Sequence, residues 1–249
     1  MKLNKIILGS LLAASTLLAG GHGTHWGYTG HEGPANWGDL DAKYTMCKVG
    51  VSQSPINIAN NVTVDTDDLA PIKINYRTGA ESVVNNGHTV QVNVAGGSFI
   101  KVDGIKFALK QFHFHTPSEN QIEGKNFPLE AHFVHASEDG KLAVIAVMFE
   151  EGKENPVLKK IWSKMPHTAG ESAGCGLPSK LVNAVLPKSK DYYRFSGSLT
   201  TPPCSEGVRW MVMKNYSTIS PAQTKEFLEL FHHANNRPVQ AINARKVMK

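Results

Sequence analysis

The 249-residue sequence predicts one predominantly β domain of the α+β class, with a few short peripheral helices. Three observations carry this reading. Several segments alternate apolar and polar residues with the period of two that a half-buried strand requires. Only two segments look helical. No internal repeat, low-complexity tract or Pro/Ser linker divides the chain. Residues 89–94 alternate apolar and polar positions, and residues 108–115 alternate as well. Residues 130–135 read as a further strand. Residues 142–149 are apolar on both faces, which predicts a central strand. The helical segments are 156–162 and 220–231. In the second, Ser220 is suited to the N-cap and Pro221 to the first turn, where its missing N–H costs nothing.

Composition narrows the function classes. The hydrophobic content of 41% and charged content of 19% suit a globular protein with a sizeable core. Setting aside Lys2 and Lys5 leaves 24 basic against 21 acidic residues, a net charge of +3. No Lys/Arg block or basic-aromatic stripe is present, so no nucleic-acid partner is expected. Lys2 and Lys5 precede an apolar run over residues 6–18, followed by Ala19, Gly20 and Gly21. This predicts a signal peptide over residues 1–20, cleaved near 19–21, and a mature domain over 21–249. The run is shorter than the ~20 residues that span a bilayer, so no stable membrane anchor is expected. The expected location is periplasmic or secreted. Three cysteines, Cys47, Cys175 and Cys204, allow one disulfide and one odd thiol in such a compartment.

The chemistry begins at His113-Phe114-His115. Side chains two apart on a strand share a face, so both imidazoles project together while Phe112 and Phe114 project into the opposite, apolar face. Two imidazoles on a rigid strand suit a divalent metal, and a third with an open position makes a catalytic zinc arrangement. The strand carrying Glu130, His132 and His135 follows after a short connection and can lie antiparallel beside the first. His132 and His135 should face opposite sides, and these residues alone do not choose between them or exclude Glu130 as a ligand. A buried, hydrogen-bonded pair of histidines would also explain the pattern.

Seven separated blocks occur in order: His25-Trp26-Gly27-Tyr28, Gln53-Ser54-Pro55-Ile56-Asn57-Ile58, Asn86-Gly87-His88, Gln111-Phe112-His113-Phe114-His115, Ser118-Glu119, Glu130-Ala131-His132-Phe133-Val134-His135, and Gly197-Ser198-Leu199-Thr200-Thr201-Pro202-Pro203. Together they resemble the α-class carbonic anhydrases of the bacterial secreted type, over essentially the whole chain after the leader. The resemblance implies a large, mostly antiparallel, twisted central sheet with zinc at the base of a conical cleft. It implies one Zn(2+) per chain on His113, His115 and His132, with Gln111 holding His113 and Glu130 holding His132. The implied reaction is reversible hydration of carbon dioxide to bicarbonate and a proton by zinc-bound hydroxide, with weak esterase activity alongside. This family is itself the standard example of a zinc-bound water with a pKa near 7.

Further roles follow from the same resemblance. Thr200 would donate its hydroxyl proton to Glu119 and accept one from the hydroxide. Val134, Val144, Leu199, Thr201 and Trp210 would form the substrate pocket. His88 would shuttle protons, since an unperturbed imidazole titrates near 6.5, with Tyr28, Asn86 and Gln91 organising a water chain. His22, His25, His31, His232 and His233 would be bystanders. Cys47 and Cys204 would form the disulfide of the secreted members, leaving Cys175 free or joining subunits of a homo-oligomer. Ser54-Pro55 and Pro202-Pro203 are candidate cis bonds. Phe195 stands where many relatives have Tyr, Thr116 replaces a common Trp, and the link from His115 to Glu119 is short. A non-catalytic binding domain of this family would have lost zinc ligands, and all three are present. A metal-sequestration protein using the N-terminal histidines would leave Thr200 and Glu119 without a role.

Overall fold

The alternating segments assemble into a single sheet. A computed structural model describes residues 24–249, so the leader expected over 1–20 and the neighbouring His22 lie outside the described residues. Thirteen described strands join this sheet, ten of them along one continuous path. In chain order these ten are β1 (Thr63–Val64), β2 (Ala80–Asn85), β3 (Val90–Val94), β4 (Ile105–His115), β5 (Leu129–Ala136), β6 (Leu142–Glu151), β7 (Ser172–Leu177), β8 (Tyr192–Ser198), β9 (Glu206–Met213) and β10 (Val247–Met248). Across the sheet they run β7-β2-β3-β4-β5-β6-β9-β8-β10-β1. Only β6–β9 and β10–β1 are parallel along this path, so the sheet is mostly antiparallel, as expected.

The strand β6 shows why residues 142–149 read as apolar throughout. Ala143, Ile145, Val147 and Phe149 point into the larger core cluster, while Val144, Ala146 and Met148 point into a smaller one on the other face. On β4 the two faces divide differently. Phe112 and Phe114 are fully buried in the larger cluster, each contributing roughly 2–3 kcal/mol of transfer free energy. His113 and His115 are left on the face of the smaller cluster. The helix Pro156–Trp162 has the predicted bounds, and the Asn155 side chain caps it by accepting from the backbone N–H groups of Val157 and Leu158. The helix Pro221–Phe231 starts one residue after the predicted Ser220, which is its N-cap in a capping box with Gln223. Among the described residues no helix is long and apolar enough to cross a membrane.

One crossing braces the site from below. The Ser54 backbone N–H donates to Ser198 Oγ at 2.8 Å, and the Ser198 N–H donates back to Ser54 Oγ at 3.1 Å. A Cβ on Gly197 would sit 2.1 Å from Ser54 Oγ, so only glycine permits this approach. Cys47 and Cys204 form a disulfide just beyond it. Ser54-Pro55 and Pro202-Pro203 are both cis, and so is Thr116-Pro117, which was not anticipated.

Candidate metal centre

The β4–β5 register sets His113 opposite His132 and His115 opposite Glu130. His132 therefore shares a face with His113 and His115, and one nitrogen from each lies within 4.8 Å of the others. His135 belongs to the other face. There its Nε2 accepts from the Tyr76 hydroxyl at 2.7 Å, and its Nδ1 donates to the Ala143 carbonyl at 3.1 Å.

Hydrogen bonds behind each imidazole decide which nitrogen carries a lone pair. His113 Nδ1 donates to Gln111 Oε1 at 2.9 Å, which leaves Nε2 free of a proton. His115 Nδ1 donates to the Asn235 carbonyl at 2.7 Å, and its Nε2 is buried with no hydrogen-bond partner. His132 Nε2 lies 2.9 Å from Glu130 Oε1, close enough to pair though out of line for a good hydrogen bond, so Nδ1 faces the centre. Burial, reinforced by the neighbouring imidazoles, holds His113 and His132 well below the ordinary imidazole range. Burial lowers His115 too. All three are thus neutral, with lone pairs converging.

Glu130 is braced in turn. Its Oε2 accepts from the backbone N–H groups of Glu119 and Asn120, and its Oε1 accepts from Asn120 Nδ2 at 2.7 Å. Burial raises its pKa to about 7, and the Asn120 contacts oppose the rise. Glu119 is fully buried, with Oε2 3.5 Å from His115 Nε2. Burial pushes its pKa well up, and hydrogen bonds from the Arg237 backbone and then the Thr200 hydroxyl pull it down. The Arg237 N–H reaches Glu119 Oε1 at 2.8 Å. No strictly aligned donor meets Oε2.

Above the histidines lies a recess of about 40 Å³, walled by Val134, Val144, Leu199, Thr201 and Trp210, with Thr200, His113 and His132 at its foot. Trp210 stands edge-on to His132 at 4.9 Å, and Phe195 stacks on Trp210 at 5.9 Å. Thr116, in place of the common Trp, donates its hydroxyl to the Pro128 carbonyl at 2.7 Å.

At the rim, His88 stacks face to face on Trp26, with ring centroids 3.7 Å apart. Burial there, helped by the nearby His25 and His233, lowers its pKa to about 4. This differs from the near-neutral value expected of a free imidazole, because the stack removes the ring from water. His25, expected as a bystander, lies 6.5 Å from the His88 ring, and His233, likewise, 6.1 Å from the Tyr28 ring. The Tyr28 hydroxyl is buried without a partner, and burial raises its pKa. Asn86 Oδ1 accepts from the His88 and Thr89 N–H groups, while Gln91 donates to Asn93.

Sequence reasoning missed Asn235, Asn120 and Arg237. Asn235 acts on His115 through its backbone carbonyl, while its side chain accepts from the Thr116 N–H and donates to the His88 and Phe114 carbonyls, contacts between remote segments that no local pattern signals. Arg237 is 1% exposed and donates to Gln53, Ser54 and the Cys47 carbonyl. A lone arginine between Asn236 and Pro238 gives no hint of that burial.

Three neutral imidazoles converging beneath an apolar recess define a mononuclear, three-histidine metalloenzyme. Residues 32–249 match the family described as eukaryotic-type carbonic anhydrase. The chain is 49% identical over 242 residues to the carbonic anhydrase of Neisseria gonorrhoeae, covering 96% of this chain and 94% of that one. It is 45% identical over 244 residues to that of Pectobacterium atrosepticum, covering 98% of both. Among solved structures, the α-carbonic anhydrase from Thermovibrio ammonificans in complex with the inhibitor sulfanilamide superposes with a TM-score of 0.87. The sequences are 50% identical, over 91% of this chain and 100% of that one. The chain belongs to the α-class, or eukaryotic-type, carbonic anhydrases. These enzymes use zinc, and the orphaned His115 Nε2 and the neutral donor set fit that ion.

Proposed function

We propose that the protein catalyses reversible hydration of carbon dioxide to bicarbonate and a proton, at a zinc site formed by His113, His115 and His132. The observation that carries this is the convergence of three imidazole lone pairs beside Thr200 and Glu119 at the foot of an apolar recess. Zinc held there supplies a nucleophile by lowering the pKa of a coordinated water toward 7, the effect for which this family is the standard example.

The chain's own residues do the rest. Gln111, the Asn235 carbonyl and Glu130 fix the three ring tautomers so that lone pairs face inward. Glu119, with Oε1 bonded to the Arg237 N–H, offers Oε2 to the Thr200 hydroxyl proton. A hydroxyl has one proton and two lone pairs, so Thr200 can then only accept, and it orients an attacking O–H toward itself. Val134, Val144, Leu199 and Trp210, with Thr201 at the edge, offer carbon dioxide an apolar wall and exclude bulk water. His88 takes the released proton to solvent. With a pKa of about 4 against Trp26 it accepts poorly, so the ring works from a solvated position off the stack. Tyr28, Asn86 and Gln91 line that path. The same centre would hydrolyse activated esters weakly.

Export to the periplasm or beyond is supported by the leader's composition and by the Cys47–Cys204 disulfide. Cys175 is a half-buried free thiol on β7, the end strand of the sheet, and is the residue through which a homo-oligomer would be cross-linked. Mass measured with and without reductant tests that link.

Stopped-flow carbon dioxide hydration, with His115→Ala as control, tests the main reading. The zinc-loaded protein should far exceed the variant. Equal rates would sink the proposal.

A further inference from the structure

Three neighbouring strands carry an uncompensated positive patch on the face turned away from the larger core. On the strand Lys73–Asn75 and just beyond it, Ile74 and Tyr76 pack on that core, so Lys73, Asn75 and Arg77 point the other way. On the strand Phe99–Val102, Ile100 and Val102 are core residues, which leaves Phe99 and Lys101 outward. On β4, Phe107 and Leu109 are core residues, and Lys106 and Ala108 are outward. The register aligns these positions. Lys73 lies opposite Lys101, and Lys101 lies opposite Lys106. In the next row, Asn75 lies opposite Phe99 and Phe99 opposite Ala108. Lys110, at the bulge between core-facing Leu109 and Phe112, is exposed as well.

Lys73, Arg77, Lys101, Lys106 and Lys110 are all exposed, and among the described residues none of the five is in an ion pair. The carboxylate at the turn of the hairpin, Asp103, is held instead by Arg194 and Arg209. Like charges directly opposite one another weaken a strand pair. Lysine on an edge strand guards against unwanted pairing, which accounts for Lys73. It does not account for Lys101, whose strand is hydrogen-bonded on both sides. The chain therefore bears a folding cost here that neither ion pairing nor edge protection returns.

We propose that this platform docks the protein reversibly on an anionic lipid bilayer. It covers two strand spacings of about 4.8 Å and four residue rises of about 3.3 Å, or roughly 10 by 13 Å. Cations spread over a sheet face offer a folded partner no cleft to fill, whereas a charged bilayer requires only charge density. Each lysine or arginine near such a surface is worth about fivefold in affinity. Phe99, at the centre of the platform, lies under Lys106 Nζ at 4.6 Å. Its ring meets the headgroup region once that amine moves to a lipid phosphate. The platform shares β4 with the metal ligands, and about 23 Å of strand separates Lys106 from His113. Docking thus keeps the metal centre near a surface that apolar carbon dioxide crosses, but the binding itself does not depend on the hydration reading.

The test uses zinc-loaded protein processed by an exporting host, so that Lys2, Lys5 and the apolar run after them do not contribute. Co-sedimentation is read with vesicles of equal parts phosphatidylglycerol and phosphatidylcholine, and with pure phosphatidylcholine as the neutral arm. The expected result is binding to the anionic vesicles alone, lost at about 0.5 M salt, where the screening length is about 4 Å. The triple variant Lys73→Gln, Lys101→Gln, Lys106→Gln should bind about a hundredfold more weakly. Arginine at the same three positions should preserve binding. Lys48→Gln, Lys141→Gln, Lys225→Gln removes the same charge elsewhere and should weaken binding only a few-fold. The platform substitutions are exposed and relieve like-charge repulsion, so the melting temperature should not fall. His115→Ala should bind as the wild type does, which separates failure of this proposal from failure of the hydration reading. Absence of binding to anionic vesicles, or equal weakening by the two triple variants, overturns the proposal. Retention on a soluble sulfated polysaccharide without vesicle binding overturns it too.

Discussion

Replacing Cys47 with serine and Cys204 with alanine should destabilise the protein by about 5 kcal/mol. The bridge joins positions 157 residues apart. A closed loop of that length removes about 17 cal/mol/K of chain entropy from the unfolded state, which is about 5 kcal/mol at 25 °C. Whole-domain stabilities run at roughly 5–15 kcal/mol, so the variant would lose a third or more of its stability. Alanine is chosen for Cys204 because that position is fully buried and a serine hydroxyl there would add its own penalty. The consequence reaches the site. The Cys204 carbonyl accepts from Gln53 Nε2 at 3.0 Å, and the Cys204 N–H donates to the Thr201 carbonyl at 2.9 Å. Reversible urea unfolding of both zinc-loaded proteins, followed by tryptophan fluorescence, measures the loss. A difference below about 1 kcal/mol at equal m-values would refute the chain-entropy argument. Full hydration activity in the folded variant would show that the bridge does not position Thr200.

Three other outcomes are expected. His135 is fully buried with its pKa lowered to about 4, so as pH falls below about 6.5 the unfolded chain takes a proton that the native state refuses. This contribution is intact above the unfolded pKa, is lost between pH 6.5 and 4, and amounts to about 3 kcal/mol. His135→Gln, compared with the wild type as metal-free proteins, should flatten the stability curve by that amount; parallel curves would contradict the assignment. His115→Ala should lose the rise in melting temperature that zinc gives the wild type, whose stabilisation reaches about 4 kcal/mol at a thousandfold excess over Kd. An unchanged zinc response, read by calorimetry, would remove His115 from the ligand set. His88→Ala should slow turnover in weak buffer and recover with added imidazole, whereas buffer-independent turnover would end the shuttle role.

The periodicity of residues 89–94, 108–115, 130–135 and 142–149 was enough to place the strands β3, β4, β5 and β6, because a half-buried strand writes its two faces into alternate positions. Strands of two or three residues, such as Lys73–Asn75 and Val247–Met248, carry too few alternations to be read and exist through their partners. At the site, the His113/His115 pair was legible locally and the rest of the trio came through resemblance. The residues by themselves left His132, His135 and Glu130 open. The β4–β5 register closes that choice geometrically, since strand pairing between distant residues decides which side chains share a face.

By itself, then, the sequence determined the strand pattern, the residue types able to hold a metal, and the cysteines available for a bridge. Only the tertiary structure decided the rest: the Asn235 carbonyl behind His115, the buried Arg237 beneath Glu119, and the stacking that draws His88 down to about 4. The physical reason is that periodicity reports local geometry. Desolvation, tautomer choice and charge–charge coupling arise where remote segments meet, and no stretch of neighbouring residues encodes them.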